Sequence, residues 1–175
     1  MKFLQRIAIV LLICSALLPA DGRAAGSGGC ESFEWPLKTE LEWMSSSDTE
    51  AVASGGKIEV PPQKAIALAL QPMDAVALLV PATGKPKGDV TKAFGGVVNF
   101  DRVDKAGVYQ VSLSSAGWID VVQGGKALPA AAHTGKSDCE GLRKSVRFAL
   151  EAGPFAIQLN GVPNDSIKIA VRPAE

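Results

Sequence analysis

Short apolar segments, separated by glycine, proline, asparagine and aspartate, follow one another from Lys57 to the end of the chain. Many of these segments alternate, as where Val146 and Phe148 face one way and Arg147, between them, faces the other. A period of two residues is that of a strand with one buried and one exposed face. The chain is therefore predicted to consist mainly of strands.

The predicted strands are short and closely spaced. They cover residues 57–60, 65–70, 75–80, 96–100, 108–113, 118–123, 145–150, 155–159 and 166–171. No helical pattern separates them, which favours an all-β fold, an antiparallel β-sandwich or jelly roll, over an alternating α/β fold. Tyr109 and Phe155 stand at matching positions of two similar hairpins and are expected in the core.

A short helix is predicted before the strands. Leu37, Leu41 and Met44 have helical spacing, and Pro36 suits a first helical turn. The polar stretch that follows is expected to be a loop. We therefore divide the mature chain into an N-terminal tether and helical segment at residues 25–56 and a β-sandwich domain at residues 57–175.

The first residues have the features of a secretory signal peptide. Lys2 and Arg6 precede an apolar run at residues 7–18, and small residues lead to an expected cleavage point after Ala24. A dozen apolar residues are too few to span a bilayer of ~30 Å. We expect residues 1–24 to be removed, the mature chain not to insert in a membrane, and the protein to be periplasmic or secreted.

Charge argues against one class of partner. The chain has 18 basic and 18 acidic residues, and removal of residues 1–24 takes away three of the first and one of the second. The mature net charge is then about −2. Nucleic acid is not expected as a partner, since there is no excess of positive charge to bind its phosphates.

Cys30 and Cys139 are the cysteines that remain after cleavage. Two cysteines in an oxidising compartment predict one disulfide, with two free thiols as the alternative. The loop it closes has about 110 residues, for which the chain-entropy model sets an upper limit of ~4 to 5 kcal/mol.

The chain's only histidine, His133, is the residue on which an enzymatic function would depend. With Asp138 and Glu140 it has the ligand types for a divalent metal, but the spacing is not a known metal-binding pattern. A serine hydrolase using it as the base would lack a Gly-x-Ser-x-Gly nucleophile elbow. We expect a solvent-facing turn residue and no cofactor, with a bound divalent metal as the alternative.

Basic residues near His133 suggest binding instead. Lys136, Arg143 and Lys144 form a small basic edge, and Arg147 follows on the outward face of a predicted strand. Such an edge can contact an anionic partner, or it can keep the edge of a sheet soluble.

Two tryptophans are the aromatic candidates for a binding surface. Trp35 and Trp118 either stack on a sugar ring or pack in the core. Asp120, on the same predicted strand as Trp118, is either a buried, hydrogen-bonded carboxylate or a calcium ligand.

These observations favour a non-catalytic binding or accessory module for a carbohydrate, peptide or protein. The alternative is a metal-dependent enzyme or a hydrolase that uses His133. The candidate ligand-binding residues are Trp35, Trp118, Asp120, His133, Lys136, Arg143 and Arg147.

Two stretches carry a resemblance to a known family. FDRVDKAGVYQVSLSSAGWIDVV and VRFALEAGPFAIQLNGVPNDSIKIAV resemble the strand-turn-strand signature of bacterial pre-peptidase C-terminal (PPC)-like domains. The resemblance implies an exported jelly-roll module that accompanies secreted enzymes or stands alone. The mature chain is also similar to small exported proteins, some of them labelled homogentisate 1,2-dioxygenase. That label implies an iron site with two histidines, which His133 alone cannot supply within one subunit.

Overall fold

The computed structural model describes residues 29–84 and 90–175, so the predicted signal peptide lies outside the described residues. The helical elements of this part are α1 (Lys38–Ser45) and a 3-10 turn at Val90–Lys92. In chain order the strands are β1 (Thr49–Ala53), β2 (Lys57–Ile58), β3 (Ala65–Ala69), β4 (Gln71–Pro72), β5 (Phe94–Val103), β6 (Gly107–Leu113), β7 (Trp118–Gln123), β8 (Lys126–Ala127), β9 (Ala130–Gly135), β10 (Lys144–Leu150), β11 (Gly153–Val162) and β12 (Ser166–Pro173).

The strands form two sheets. Sheet A has the strand order β1-β3-β12-β6-β10-β9, and sheet B has the order β2-β5-β11-β7-β8, with β4 also paired to β5. The pairs β1 with β3 and β2 with β5 are parallel, and the other strand pairs of the described residues are antiparallel. The predicted all-β sandwich with a short helix is confirmed. Its sheets are mixed instead of purely antiparallel, because each contains one parallel pair: β1 with β3 in sheet A and β2 with β5 in sheet B.

The main core lies between the sheets, where the alternating apolar side chains of both meet. Tyr109 and Phe155 are buried there, as predicted. The rings of Phe155 and Phe100 stack with their centroids 4.5 Å apart. Burying side chains of this size is the dominant contribution to the stability of such a fold.

The outer face of sheet A is covered as well. The N-terminal segment, residues 29–46, packs across it and forms a second core with the buried residues Ala65 and Ala170. These alanines are small enough for α1 to approach the sheet closely. The predicted disulfide is confirmed: Cys30 and Cys139, with Cα atoms 4.6 Å apart, connect the start of this segment to the loop before β10.

The outer face of sheet B is covered by the segment at residues 73–84, here called the covering loop. Gln158, on β11, accepts hydrogen bonds from the backbone N–H groups of Leu79 (3.0 Å) and Val80 (3.3 Å) and donates to the carbonyl oxygen of Val80 (3.0 Å). The strand predicted at residues 75–80 is therefore wrong. The N–H groups of Ala75 and Val76 donate to the carbonyl oxygen of Pro72 in a turn, and the backbone of Leu79 and Val80 bonds to the Gln158 side chain instead of to a neighbouring strand.

Four strands were not predicted: the two-residue strands β4 and β8, and the longer strands β1 and β9. β1 lies in the stretch expected to be a polar loop, and β9 lies where His133 was expected in a turn. Both are edge strands of sheet A with several exposed residues, so their hydrophobic alternation is weak. His133 is exposed on β9, opposite Val146 of β10.

None of the helices among the described residues is long and apolar enough to cross a membrane.

Candidate functional site

A cavity of about 530 Å³ opens at one end of the sandwich, where the start of β7 in sheet B approaches β9 and β10 of sheet A. Glycine backbone forms part of its surface. We call it the basic pocket, and the side chains that give it its chemistry are Glu34, Trp118, His133, Lys136, Arg143 and Lys144.

The loop between β9 and β10 positions two of the cations. The backbone N–H of Lys136 donates to the carbonyl oxygen of Arg143 at 3.0 Å, and the N–H of Arg143 donates to that of Leu113 at 2.8 Å. Within this loop Leu142 is fully buried and Cys139 is bonded to Cys30. The base of the loop is thus fixed by hydrogen bonds, by packing and by a covalent bond.

Lys144 is the third cation and is half-buried. Its Nζ donates to the carbonyl oxygen of Gly117 at 2.9 Å and lies 5.4 Å from the ring centroid of Trp118. Burial lowers the pKa of Lys144 from its ordinary value of 10.5, and the positive charge of Arg143 lowers it further. Bringing this ammonium group into the pocket therefore costs free energy.

The basic side chains of the pocket take no part in the salt bridges that the described residues form. Across residues 29–84 and 90–175, no salt bridge involves Lys136, Arg143 or Lys144. Glu34 is the acidic residue of the lining, and its backbone N–H donates to Oγ1 of Thr134 at 3.1 Å. The lining thus has three formal positive charges and one negative charge, apart from His133.

Trp118 provides the aromatic surface of the pocket and is 37% exposed. Its indole N–H donates to Oδ1 of Asp120 at 2.9 Å and to Oγ1 of Thr83 at 3.1 Å. Gly84 lies so close to the ring that a Cβ atom there would overlap three ring carbons. The covering loop and Asp120 together hold the ring in one orientation.

Asp120 is a buried, hydrogen-bonded carboxylate, the first of the two predicted alternatives. Besides Trp118, its donors are the backbone N–H of Thr83 at 3.3 Å, the Thr83 hydroxyl, and Nε2 of Gln158 at 3.1 Å. Both carboxylate oxygens therefore already accept hydrogen bonds from N–H or O–H groups. Asp120 lies behind Trp118 and supports it.

Four of the seven predicted ligand-binding residues come together in the pocket: Trp118, His133, Lys136 and Arg143. Trp35, in the N-terminal segment, and Arg147, on β10, lie elsewhere and contact each other where the segment crosses sheet A. The guanidinium carbon of Arg147 is 4.2 Å from the ring centroid of Trp35, and its Nε donates to Oε1 of Gln110 at 3.3 Å.

The prediction of the site missed Glu34 and the supporting residues Thr83 and Gln158. Glu34 is about 100 residues from Thr134 in the chain and reaches the pocket because the N-terminal segment crosses sheet A. No local pattern in the sequence marks any of these three residues.

Metal-ligand side chains are dispersed in this part of the molecule. In the described part of the chain, no group of three or more histidine, cysteine, aspartate and glutamate side chains lies close enough together to hold a metal ion. His133 lines the basic pocket with Lys136 and Arg143, whereas Asp138 lies against Gly29 near the disulfide.

Comparison of the chain with models of known protein families and with curated proteins finds no match. The resemblance to pre-peptidase C-terminal-like domains stays a prediction.

Proposed function

We propose that the protein is an exported, non-catalytic binding module whose ligand occupies the basic pocket. The observation that carries this proposal is the convergence of Trp118, Lys136 and Arg143 in one open cavity. Ligand sites combine a concave surface with a few polar groups that fix the orientation of the ligand. The size of this cavity is within the usual range for small ligands.

The pocket is also preorganised. Asp120 and Thr83 fix the Trp118 ring, and the disulfide at Cys139 anchors the loop that ends at Arg143. Groups that are already ordered lose less conformational entropy when a ligand binds. A rigid site of this kind is suited to recognition.

Export is supported by the signal-peptide features of residues 1–24 and by the disulfide, since disulfides persist in oxidising compartments. The resemblance to exported sandwich modules supports an accessory role beside secreted proteins.

The surroundings of His133 support binding over catalysis. Lys136 and Arg143 share the pocket with it. Positive charge opposes the approach of a divalent cation and favours that of an anion. A non-catalytic role follows more directly from this arrangement than a metal enzyme does.

The test is a ligand screen by isothermal titration calorimetry with a panel of neutral and acidic oligosaccharides and peptides. We expect reversible binding of at least one compound and its unchanged recovery by mass spectrometry. Trp118→Ala, shown by circular dichroism to be folded, should bind that compound more weakly. Conversion of a bound compound, or stoichiometric metal that is lost in His133→Ala, would establish the enzyme instead. Binding that Trp118→Ala leaves unchanged would show that the pocket is not the site.

A further inference from the structure

The charge of the basic pocket narrows the class of ligand. We infer that the ligand is an anionic sugar, a sugar ring that bears a carboxylate or a sulfate group. This inference rests on the proposed function, because it identifies the ligand of the same pocket.

The first argument is that no carboxylate of residues 29–84 and 90–175 forms a salt bridge with Lys136, Arg143 or Lys144. Elsewhere in the described structure, several cations stand next to carboxylates: Lys57 pairs with Asp101, Lys64 with Asp48, and Arg102 with Glu59 and Asp104. In the pocket, by contrast, Arg143 and Lys144 stand side by side, and the charge of one disfavours the charge of the other. A bound oxyanion would supply the missing negative charge and offset this repulsion.

The second argument is the geometry of the donors. The Arg143 guanidinium is a planar fork that matches the two oxygens of a carboxylate or sulfate, and Lys136 adds a second, more mobile donor. A Cβ atom on Gly135 would lie 3.7 Å from Nη1 of Arg143, an ordinary contact distance, so the guanidinium lies beside the backbone of Gly135. The lining therefore offers an oxyanion one forked donor and one ammonium donor.

The third argument concerns the rest of the ligand. Gly84 lies against the Trp118 ring and Nζ of Lys144 lies over it, and the part of the ring that they leave exposed is an apolar surface. The indole N–H group is already bonded to Asp120 and Thr83. Sugar rings contact apolar aromatic surface through their C–H groups. Glu34 can accept hydrogen bonds from hydroxyl groups but would repel a bare anion. A ring with both hydroxyl groups and an acidic group satisfies all of these side chains.

The test uses calorimetry on the mature protein with four probes. Trigalacturonic acid carries carboxylates, a heparin-derived disaccharide carries sulfates, maltotriose is neutral, and sodium sulfate is an anion without a ring. The variants are Arg143→Gln, Lys136→Gln and Trp118→Ala. Lys126→Gln is the matched control, because it removes an exposed lysine of β8, which pairs with the opposite end of β7.

We expect at least one acidic sugar to bind more tightly than both maltotriose and sodium sulfate. Arg143→Gln and Lys136→Gln should each weaken it about 10- to 100-fold, the range for a lost hydrogen bond to a charged group. Lys126→Gln should leave the affinity unchanged. Circular dichroism of each variant confirms that it is folded, and the Lys136→Gln result decides the matter if Arg143→Gln does not fold.

Other outcomes overturn the inference. Maltotriose could bind as tightly as the acidic sugars, with an affinity that Arg143→Gln leaves unchanged and Trp118→Ala abolishes. That result would keep the proposed function and refute the anionic ligand. Equal binding of sodium sulfate would reduce the pocket to a simple anion site. Equal weakening by Lys126→Gln would mark non-specific attraction of polyanions. Failure of both acidic sugars to bind would refute the inference, and failure of the whole panel in the earlier screen would refute the proposed function.

Discussion

The indole nitrogen of Trp118 donates to Oδ1 of Asp120, two residues further along β7, at 2.9 Å. Asp120 is only 1% exposed and also accepts from Thr83 of the covering loop and from Gln158 of the neighbouring strand. The orientation of the aromatic surface in the basic pocket therefore depends on a carboxylate that does not line the pocket.

Asp120→Asn should destabilise the fold. The amide NH2 group of asparagine would face N–H or O–H groups that now donate hydrogen bonds to Asp120. A buried polar group left without a hydrogen-bond partner costs about 1 to 3 kcal/mol. Urea denaturation measures this loss. Asp101→Asn is the control, because Asp101 is exposed and its ion pair with Lys57 should contribute less than about 1 kcal/mol. Equal stability of Asp120→Asn and the wild type would contradict the assignment.

Gly84→Ala should loosen the covering loop and shift the Trp118 ring. The added Cβ atom overlaps the indole ring, and overpacking of this kind costs about 1 to 3 kcal/mol. The expected result is a lower urea midpoint together with a changed Trp118 fluorescence, measured as the difference from Trp118→Phe. At Gly107 a Cβ atom would meet nothing within 4 Å, so Gly107→Ala serves as the control. The idea fails if both variants unfold at the same midpoint.

Lys144 should make stability depend on pH in the alkaline range. Its pKa in the folded protein is lowered from 10.5 by burial and by Arg143. Between the folded and unfolded pKa values the unfolded chain binds more protons, so the free energy of unfolding rises with pH there. The destabilisation caused by burying the charged Lys144 is therefore full below its pKa in the folded protein and absent above its pKa in the unfolded chain.

The measurement compares urea denaturation of the wild type and Lys144→Gln at a series of pH values up to 10.5. We expect the stability of the wild type relative to the variant to increase along the series. Lys126→Gln, which removes an exposed lysine and keeps Lys144, should increase in stability relative to Lys144→Gln in the same way as the wild type. A constant difference between the wild type and Lys144→Gln would mean that burial does not disfavour the charge of Lys144.

The disulfide should contribute strongly to stability. Cys30 and Cys139 are 109 residues apart, and the chain-entropy model predicts a contribution of up to ~4 to 5 kcal/mol for such a loop. The Cys30→Ser, Cys139→Ser double variant should have a lower urea midpoint than the wild type. A reductant should lower the midpoint of the wild type and leave that of the double variant unchanged. If the two proteins have equal midpoints without reductant, the N-terminal segment is held by its packing alone.

Much of the fold follows from local patterns. Alternation places Tyr109 and Phe155 in the core, and both are buried. The stretch 75–80 shows where this reasoning fails. Its apolar residues are typical of a strand, but in the structure it is a loop whose backbone at Leu79 and Val80 hydrogen-bonds to the Gln158 side chain. A local pattern shows that a segment is apolar on one side but does not identify the partner of its backbone.

The same limit applies to the outward-facing polar residues. Gln110 and Ser112 alternate with core residues of β6 as an exposed face would, yet the structure buries them. Gln110 accepts a hydrogen bond from Arg147 and donates to Glu40 of α1. Alternation distinguishes the two sides of a strand, but the covering of a side by a distant segment is a tertiary event.

The sequence alone was enough to predict an all-β sandwich with one disulfide, because residue alternation and cysteine number are properties of the chain itself. The basic edge at Lys136 and Arg143 was also visible, as neighbours along the chain. Only the tertiary structure joined this edge to Trp118 and Glu34. β7 and β10 belong to different sheets and approach each other at one end of the sandwich, so the pocket depends on how the two sheets pack and not on the pattern of either strand.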